Sequence, residues 1–209
     1  MKIMKIPTEY NKGKILPIVK AGNPGLTAPN NAEVSVREAT RRWFQKTALN
    51  MLKTSYHYEG AGIAAPQVGI DLRMFALTIH PSSRYPQAPD MPDMIILNPR
   101  IVGFSNKLST IVEGCLSIPG FYAAVTRPES ITVDFLLFNH KTGETTRVAK
   151  RTLNGFAARV FQHEYDHTIG VLFPTRVTDW SYCAVEETKP RLRKLVEKAG
   201  HLIFPSHAD

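Results

Sequence analysis

The chain has 209 residues, 43% hydrophobic and 21% charged, with 13 Gly and 2 Cys. That length can bury a core of its own, and the composition excludes wholesale disorder, a collagen-like repeat and a disulfide scaffold. A net charge of +8 favours anionic surroundings such as nucleic acid, ribosome or acidic lipid. The basic residues are scattered, however, with short runs at Arg41–Arg42, at Lys150–Arg151 and at Arg191, Arg193 and Lys194. No aromatic residues interleave with them as on a nucleic-acid platform, so an ordinary solvated basic surface is expected.

The amino end, Met1 to Pro7, is basic but carries no long apolar run, which does not fit a secretory signal. No stretch approaches the roughly 18 apolar residues of a membrane span. With two cysteines only, a reducing, cytoplasmic-type compartment is expected, an organellar matrix being the alternative. Residues 8–32, rich in Asn, Gly, Pro and Lys, read as an extended arm laid over the domain, with 1–14 its flexible end. Ser35-Val36-Arg37-Glu38 is a capping-box pattern. Behind it Val36, Thr40, Trp43, Thr47 and Met51 share a helical face, predicting a helix from about 36 to 57, ended by Gly60. Gly60 to Gln67 reads as small, close-fitting and irregular.

Strands are predicted over Leu72–Ile79 and Met94–Leu97, with a polar surface loop, Pro81 to Pro92, between them. Ile101–Phe104 and Leu108–Val112 flank Ser105-Asn106-Lys107 and suggest a hairpin. Ile131, Val133, Phe135 and Leu137 alternate as a half-buried strand does, His140 to Gly143 turns the chain, and Glu144–Lys150 is the return strand. From Leu153 to His167 the apolar period becomes helical, and Gly170 stands where a helix-ending glycine belongs. In the tail (186–209), Leu192, Leu195, Val196 and Ala199 are spaced for a short basic amphipathic helix, suited to packing on the domain or meeting a partner. Cys183 is expected to be a small buried thiol. The pattern predicts an α+β fold, with antiparallel or mixed sheets around a central helix, in one domain over 1–209.

The segment Gln162-His163-Glu164-Tyr165-Asp166-His167 carries metal-site spacing. Histidines at i and i+4 lie one helical turn apart on one face, and Glu164 lies near enough to reach a metal-bound water. A catalytic metal commonly takes three protein ligands and leaves one position open. Cys115, in a Gly-bearing turn after a predicted strand, is an attractive third ligand; His57, His80, His140, His201 and His207 are its rivals. The chemistry implied is metal-assisted hydrolysis of an amide or similar acyl bond. The metal activates a bound water, Glu164 moves the proton, and donors face the developing oxyanion. Cys and His donors suit zinc.

Three motifs, in order, resemble those of the peptide deformylases: Gly60-Ala61-Gly62-Ile63-Ala64-Ala65-Pro66-Gln67, Glu113-Gly114-Cys115-Leu116-Ser117, and Gln162-His163-Glu164-Tyr165-Asp166-His167-Thr168-Ile169-Gly170. The resemblance runs from about Ile15 to Asp179. It implies removal of formyl from N-formylmethionine on nascent polypeptides, releasing formate. It implies Cys115, His163 and His167 as ligands of one divalent metal, Fe(II) in the cell and replaceable by zinc, nickel or cobalt. Glu164 would be the acid–base residue, with Gln67 and the Leu116 backbone N–H steadying the oxyanion. Substrate would lie against Gly60 and Gly62, with the methionine side chain near Ala61, Ile111, Phe156, Arg159 and Val160. Glu113 would bond backbone or a basic group near the site, and Asp166 would either orient a ligand imidazole or be a helix-surface charge.

Arg159 and Tyr122 depart from the commoner bacterial pattern, with an aliphatic residue and an arginine respectively, toward a mitochondrial-like branch that also has bacterial members. Arg159 is expected to lend its methylene stem to the pocket wall while its head stays in water. The partners implied are nascent chains and the ribosome surface, without DNA or membrane, with a monomer favoured over a dimer. The alternatives are an amidohydrolase of the same fold acting on another N-acyl substrate, and a non-catalytic metal-binding paralogue.

Overall fold

Residues 5–28 and 32–198 are described in a computed structural model. Ala199, His201 and His207 lie outside them, as do the side chains of Arg193 and Val196. Two helices, α1 (Val36–Ala39) and α2 (Arg42–His57), precede strands β1 (Gly62–Ala64), β2 (Met74–Leu77), β3 (Met94–Phe104), β4 (Leu108–Cys115), β5 (Ile118–Pro128), β6 (Ser130–Phe138) and β7 (Thr145–Asn154). Helix α3 (Gly155–Thr168), strand β8 (Cys183–Val185) and helix α4 (Lys189–Lys198) complete the order. All pairing is antiparallel, in a five-stranded sheet β1-β2-β3-β6-β7 and a three-stranded sheet β4-β5-β8.

The larger sheet is buried on both faces at β1, β2 and the start of β3, and the period of two sorts its side chains between two helices. Phe75, Leu77, Ile96, Val133 and Phe135 pack with Ala157 and Phe161 of α3. Their neighbours Met74, Ala76, Ile95, Leu97 and Phe138 pack on the opposite face with Phe44, Ala48, Met51 and Leu52 of α2. This two-sided burial explains the continuous apolar runs at β2 and at the start of β3. The amino-terminal arm crosses α2: Lys14 N–H donates to Asn50 Oδ1 at 2.7 Å and Leu16 N–H to Thr54 Oγ1 at 2.9 Å. Tyr10, 3% exposed, is anchored by its hydroxyl on Asp93 at 2.6 Å.

Several sequence expectations need correction. The helix expected over 36–57 is two helices. The Ser35–Glu38 capping box forms, but Thr40 Oγ1 bonds back to Arg37 O at 2.9 Å, and Arg41 is extended (φ −74°, ψ 140°), restarting the helix. Gly60–Gln67 is more ordered than expected, forming β1 and a 3-10 turn over Ala65–Val68. Residues around Ser105 do not close a hairpin: β3 pairs with β6 and β4 with β5. Ser105 N–H instead donates to Ser130 O, and Glu129 N–H to Lys107 O, each at 2.9 Å. The chain thus crosses from one sheet to the other, tied to the β5–β6 connection. Leu153 belongs to β7, and α3 starts two residues later, at Gly155.

Gly170 ends the helix as expected, with φ +73°, and a Cβ there would lie 2.5 Å from Thr27 O. Cys183 is only half-buried, at the start of the edge strand β8. The tail helix α4 packs on the smaller sheet, burying Leu192 with Val112, Ala124 and Ala184 and leaving Leu195 40% exposed. Among the described residues, no helix is long and apolar enough to cross a membrane.

Candidate active site

Helix α3 carries Arg159, His163 and His167 at four-residue intervals, so all three lie toward one side of it. Strand β4 ends beside this face, where a register shift between Gly114 and Cys115 pairs the last residue with Ile118 and re-aims its side chain. The thiol of Cys115 therefore meets the imidazoles: Sγ lies 3.3 Å from His167 Nε2. One ligand atom each from Cys115, His163 and His167 falls within 4.8 Å of the others. His57, His80 and His140 stand elsewhere. His57 packs edge-on to Tyr58, His80 bonds Asp90 and Asp93, and the His140 ring lies 5.7 Å from that of Tyr10.

Glu113, 6% exposed, stands behind the ligands. Its Oε2 lies 2.9 Å from His163 Nδ1, which leaves Nε2 for the ligand cluster. Arg127 donates to both Glu113 oxygens, at 2.7 and 3.0 Å, and Arg159 Nη1 donates to Oε1 at 2.9 Å. Arg127 also reaches Asp166 at 2.7 Å, and Arg176 donates to both oxygens of Asp166 at 3.2 and 2.7 Å. Burial alone would raise the Glu113 carboxyl, but Arg127 and His163 hold it well below the usual carboxylate range. Burial likewise acts against ionising Cys115, and the His167 and His163 imidazoles outweigh it. The thiol is thereby held well below its ordinary value, in the thiolate form that ligates metals.

Two expectations fail here. The Arg159 head is not in water: the residue is 4% exposed, and besides Glu113 its guanidinium donates to Val125 O at 2.9 Å and Ser109 O at 2.7 Å. A buried carboxylate within reach draws the charge inward instead of letting it snorkel. Asp166 is neither a surface charge nor bonded to an imidazole; it is 3% exposed and bridges Arg127 to Arg176.

Glu164 is buried against Gly62, where a Cβ would lie 2.9 Å from its Cγ and Oε1. Its Oε2 has no hydrogen-bond partner among the described residues. Burial pushes this carboxyl up to about 7, against the opposing pull of the two imidazoles. Gln67, 2% exposed, is oriented by Ala64 N–H, which donates to its Oε1 at 2.8 Å, so that Nε2 faces Cys115 Sγ and Ser117 Oγ, both at 3.4 Å. The arm braces this wall. Val19 N–H donates to Gln67 O and Ala21 N–H to Ser117 O, each at 2.8 Å, and Lys20 Nζ donates to Leu116 O at 2.9 Å.

A pocket opens on the cluster, and every residue expected to contact substrate lines it: Gly60, Ala61, Gly62, Ile111, Glu113, Phe156, Arg159 and Val160. Gln67, Leu116, Cys115, His163 and Glu164 line it too, whereas His167 lies behind them, 1% exposed. Sequence reasoning missed Arg84, Tyr85 and Lys189 at the mouth. The Tyr85 ring packs 5.3 Å from that of Phe156, in a loop whose polar composition concealed it. Lys189 Nζ sits 3.8 Å from the Tyr122 ring centroid, and the Tyr122 hydroxyl bonds Glu186.

Residues 15–181 match the family model described as polypeptide deformylase. The chain belongs to the peptide deformylase family. Deformylase relatives include peptide deformylase 2 of Nostoc sp., 38% identical over 78% of this chain and 87% of its own. Peptide deformylase 1B, chloroplastic/mitochondrial, of Arabidopsis thaliana is 35% identical over 76% of this chain and 54% of its own. Among solved deformylases, the Met-Ala-Ser-bound class I type b enzyme of Acinetobacter baumannii superposes with a TM-score of 0.71 at 37% identity, covering 78% of this chain and 98% of that one. The actinonin complex from Synechococcus elongatus gives 0.66 at 28% identity over 97% of this chain and 95% of that one. Kinship and the Cys–His–His centre together make this deformylase a metallohydrolase.

Proposed function

We propose that the enzyme removes the formyl group from N-formylmethionyl ends of nascent polypeptides, with Cys115, His163 and His167 holding one divalent cation and Glu164 moving the proton. The observation that carries this reading is the convergence of those three ligands beside a buried Glu164 oxygen that has no hydrogen-bond partner among the described residues. A thiolate and two imidazoles suit a divalent cation, and the bare Gly62 leaves Glu164 space beside it. When bound, the ion supplies Lewis-acid polarisation and a lowered pKa for water.

Glu164 accepts a proton from the water that attacks the formyl carbon. As the C–N bond breaks, it passes that proton to the departing nitrogen, leaving formate and a free amine. Gln67 Nε2 and the Leu116 N–H donate to the formyl oxygen as it gains charge. Glu113 fixes the His163 ring through Nδ1. Ala61, Ile111, Phe156 and Val160 seat the methionine side chain, and Gly60 and Gly62 admit the peptide backbone. Arg159 works from behind that wall, as the partner of Glu113. Residues 1–209 act as one catalytic domain in this reading, supported by a site drawn from residues 60–67, 113–117 and 159–167 with Lys189 at its rim.

The test is formate release from short formylmethionyl peptides by protein prepared without oxygen and loaded with Fe(II), the ion we assign. Acetylated and unblocked peptides are controls. Release from the formyl peptide alone supports the reading. A fully metallated protein that releases nothing overturns it, and cleavage of the acetyl peptide instead assigns another N-acyl substrate. Faster turnover with zinc, nickel or cobalt than with Fe(II) would reject iron as the working ion.

A further inference from the structure

A second hollow opens off the first. It begins at Cys115 and Leu116, shares Arg84 and Tyr122 with the methionine pocket, and extends to Lys20 and Phe121. Among the described residues, no carboxylate lines it. Lys20 Nζ bonds Leu116 O at 2.9 Å and Arg84 Nη1 bonds Tyr58 O at 3.1 Å. Among the described residues neither cation forms an ion pair. Each is held by a neutral carbonyl and keeps further N–H donors, since an ammonium has three and a guanidinium five. Lys189, at the mouth of the first pocket, differs: it faces Glu186 at 3.5 Å, so its charge is matched. Two positive charges outside any ion pair among the described residues therefore flank a hollow that is continuous with the reacting centre.

We propose that the peptide after the formylated methionine leaves past Arg84 and Tyr122 into this hollow. There Lys20 and Arg84 select for Asp or Glu side chains in the first few positions. This rests on the deformylase reading above. Both charges act on the residues after methionine, which take no part in the bond changes, so the preference appears in KM, with kcat little changed. An exposed ion pair corresponds to about two- to fivefold in kcat/KM, and salt screens it.

The experiment uses the metal-loaded full chain and formyl-Met-Ala-Ser, amidated to remove its carboxylate. Parallel peptides carry Glu, Gln or Lys at each position after methionine. The expected order is Glu, then Gln, then Lys, with the Glu-to-Lys ratio collapsing in about 0.5 M salt. Arg84→Gln and Lys20→Met each flatten the ratio, and Arg84→Glu inverts it at the affected position. The ratio is internal to each preparation, so partial misfolding of a variant does not mimic the effect. Equal kcat/KM for Glu and Lys peptides, or a ratio surviving in the double variant R84Q/K20M, overturns the proposal while leaving deformylation intact. Failure to release formate from the neutral peptide would instead strike the deformylase reading, and this proposal with it.

Discussion

The Cα of Gly62 faces the side chain of Glu164 so closely that a methyl group there would stand 2.9 Å from both its Cγ and its Oε1. The glycine in β1 is thus a condition for where the carboxylate in α3 sits. Gly62→Ala is expected to push Glu164 off the ligand cluster. Formate release should fall by about 100-fold or more, the range of a positioned acid–base group, while the metal stays bound. Metal analysis and turnover on one preparation check this; wild-type turnover would show that the carboxylate tolerates displacement.

Glu113 bonds two guanidinium groups, each of them about 95% buried; Arg127 also has Asp166, whereas among the described residues Glu113 is the ion-pair partner of Arg159. Glu113→Gln should destabilise the protein by about 3–5 kcal/mol, since it leaves buried charge unpaired. For a chain of this size that corresponds to a melting temperature lower by about 6–20 °C. It should also weaken metal binding about 10- to 100-fold by loosening His163. Thermal unfolding of the metal-free protein isolates the first effect, and competition with a chelator the second. A variant that melts like wild type would mean that Arg159 finds another partner.

Stripping the metal should abolish formate release and lower the melting temperature, because an ion bound only by the folded state stabilises it. Cys115→Ala should show the same low melting temperature without stripping and gain little on adding metal. Full occupancy of the alanine variant would remove the thiol from the ligand set.

His80 predicts a pH dependence remote from the reaction. Burial lowers its pKa, but hydrogen bonds to Asp90 and Asp93 outweigh that and raise it above 6.5. A group whose folded pKa is raised contributes its full stability below the unfolded value, and loses it as pH rises through the folded value. Stability from this contact is therefore complete below about pH 6.5 and declines above it. Tyr10 and Tyr56 share Asp93, and burial raises both, so they remain protonated donors across that window. Urea midpoints measured on either side of neutrality should fall more steeply with pH for wild type than for His80→Gln. Parallel slopes would show that His80 is not the group responsible.

The parts of the fold legible in the sequence were those set by local pattern. The alternation of Ile131, Val133 and Phe135 located β6, the change of period located α3, and the Ser35 box located a helix start. Pairing was legible where a turn closes locally, between β6 and β7, but not at β3 and β4: nothing local says that Ser105 will bond Ser130 and not close a turn back on β4. The break at Arg41 was hidden because the apolar period continues across it. In the site, residue types and spacing nominated His163, Glu164 and His167 and favoured Cys115 over five rival histidines, and the family resemblance completed the set. They did not reveal the environment of Arg159, although its place four residues before His163 put it on the ligand face. Glu113 was expected to bond backbone or a basic group, but nothing local says that this group is Arg159, 46 positions later in the chain.

The bracing of Gln67, Leu116 and Ser117 by residues 19–21 has a consequence for biosynthesis. The brace is translated first but waits for partners roughly 50 and 100 residues later, and both imidazoles follow in α3. Such distant contacts close late in folding. A chain interrupted before α3 therefore holds the brace and the thiol with nothing to act on, so enzyme still being translated should be inert until its last catalytic segment has emerged.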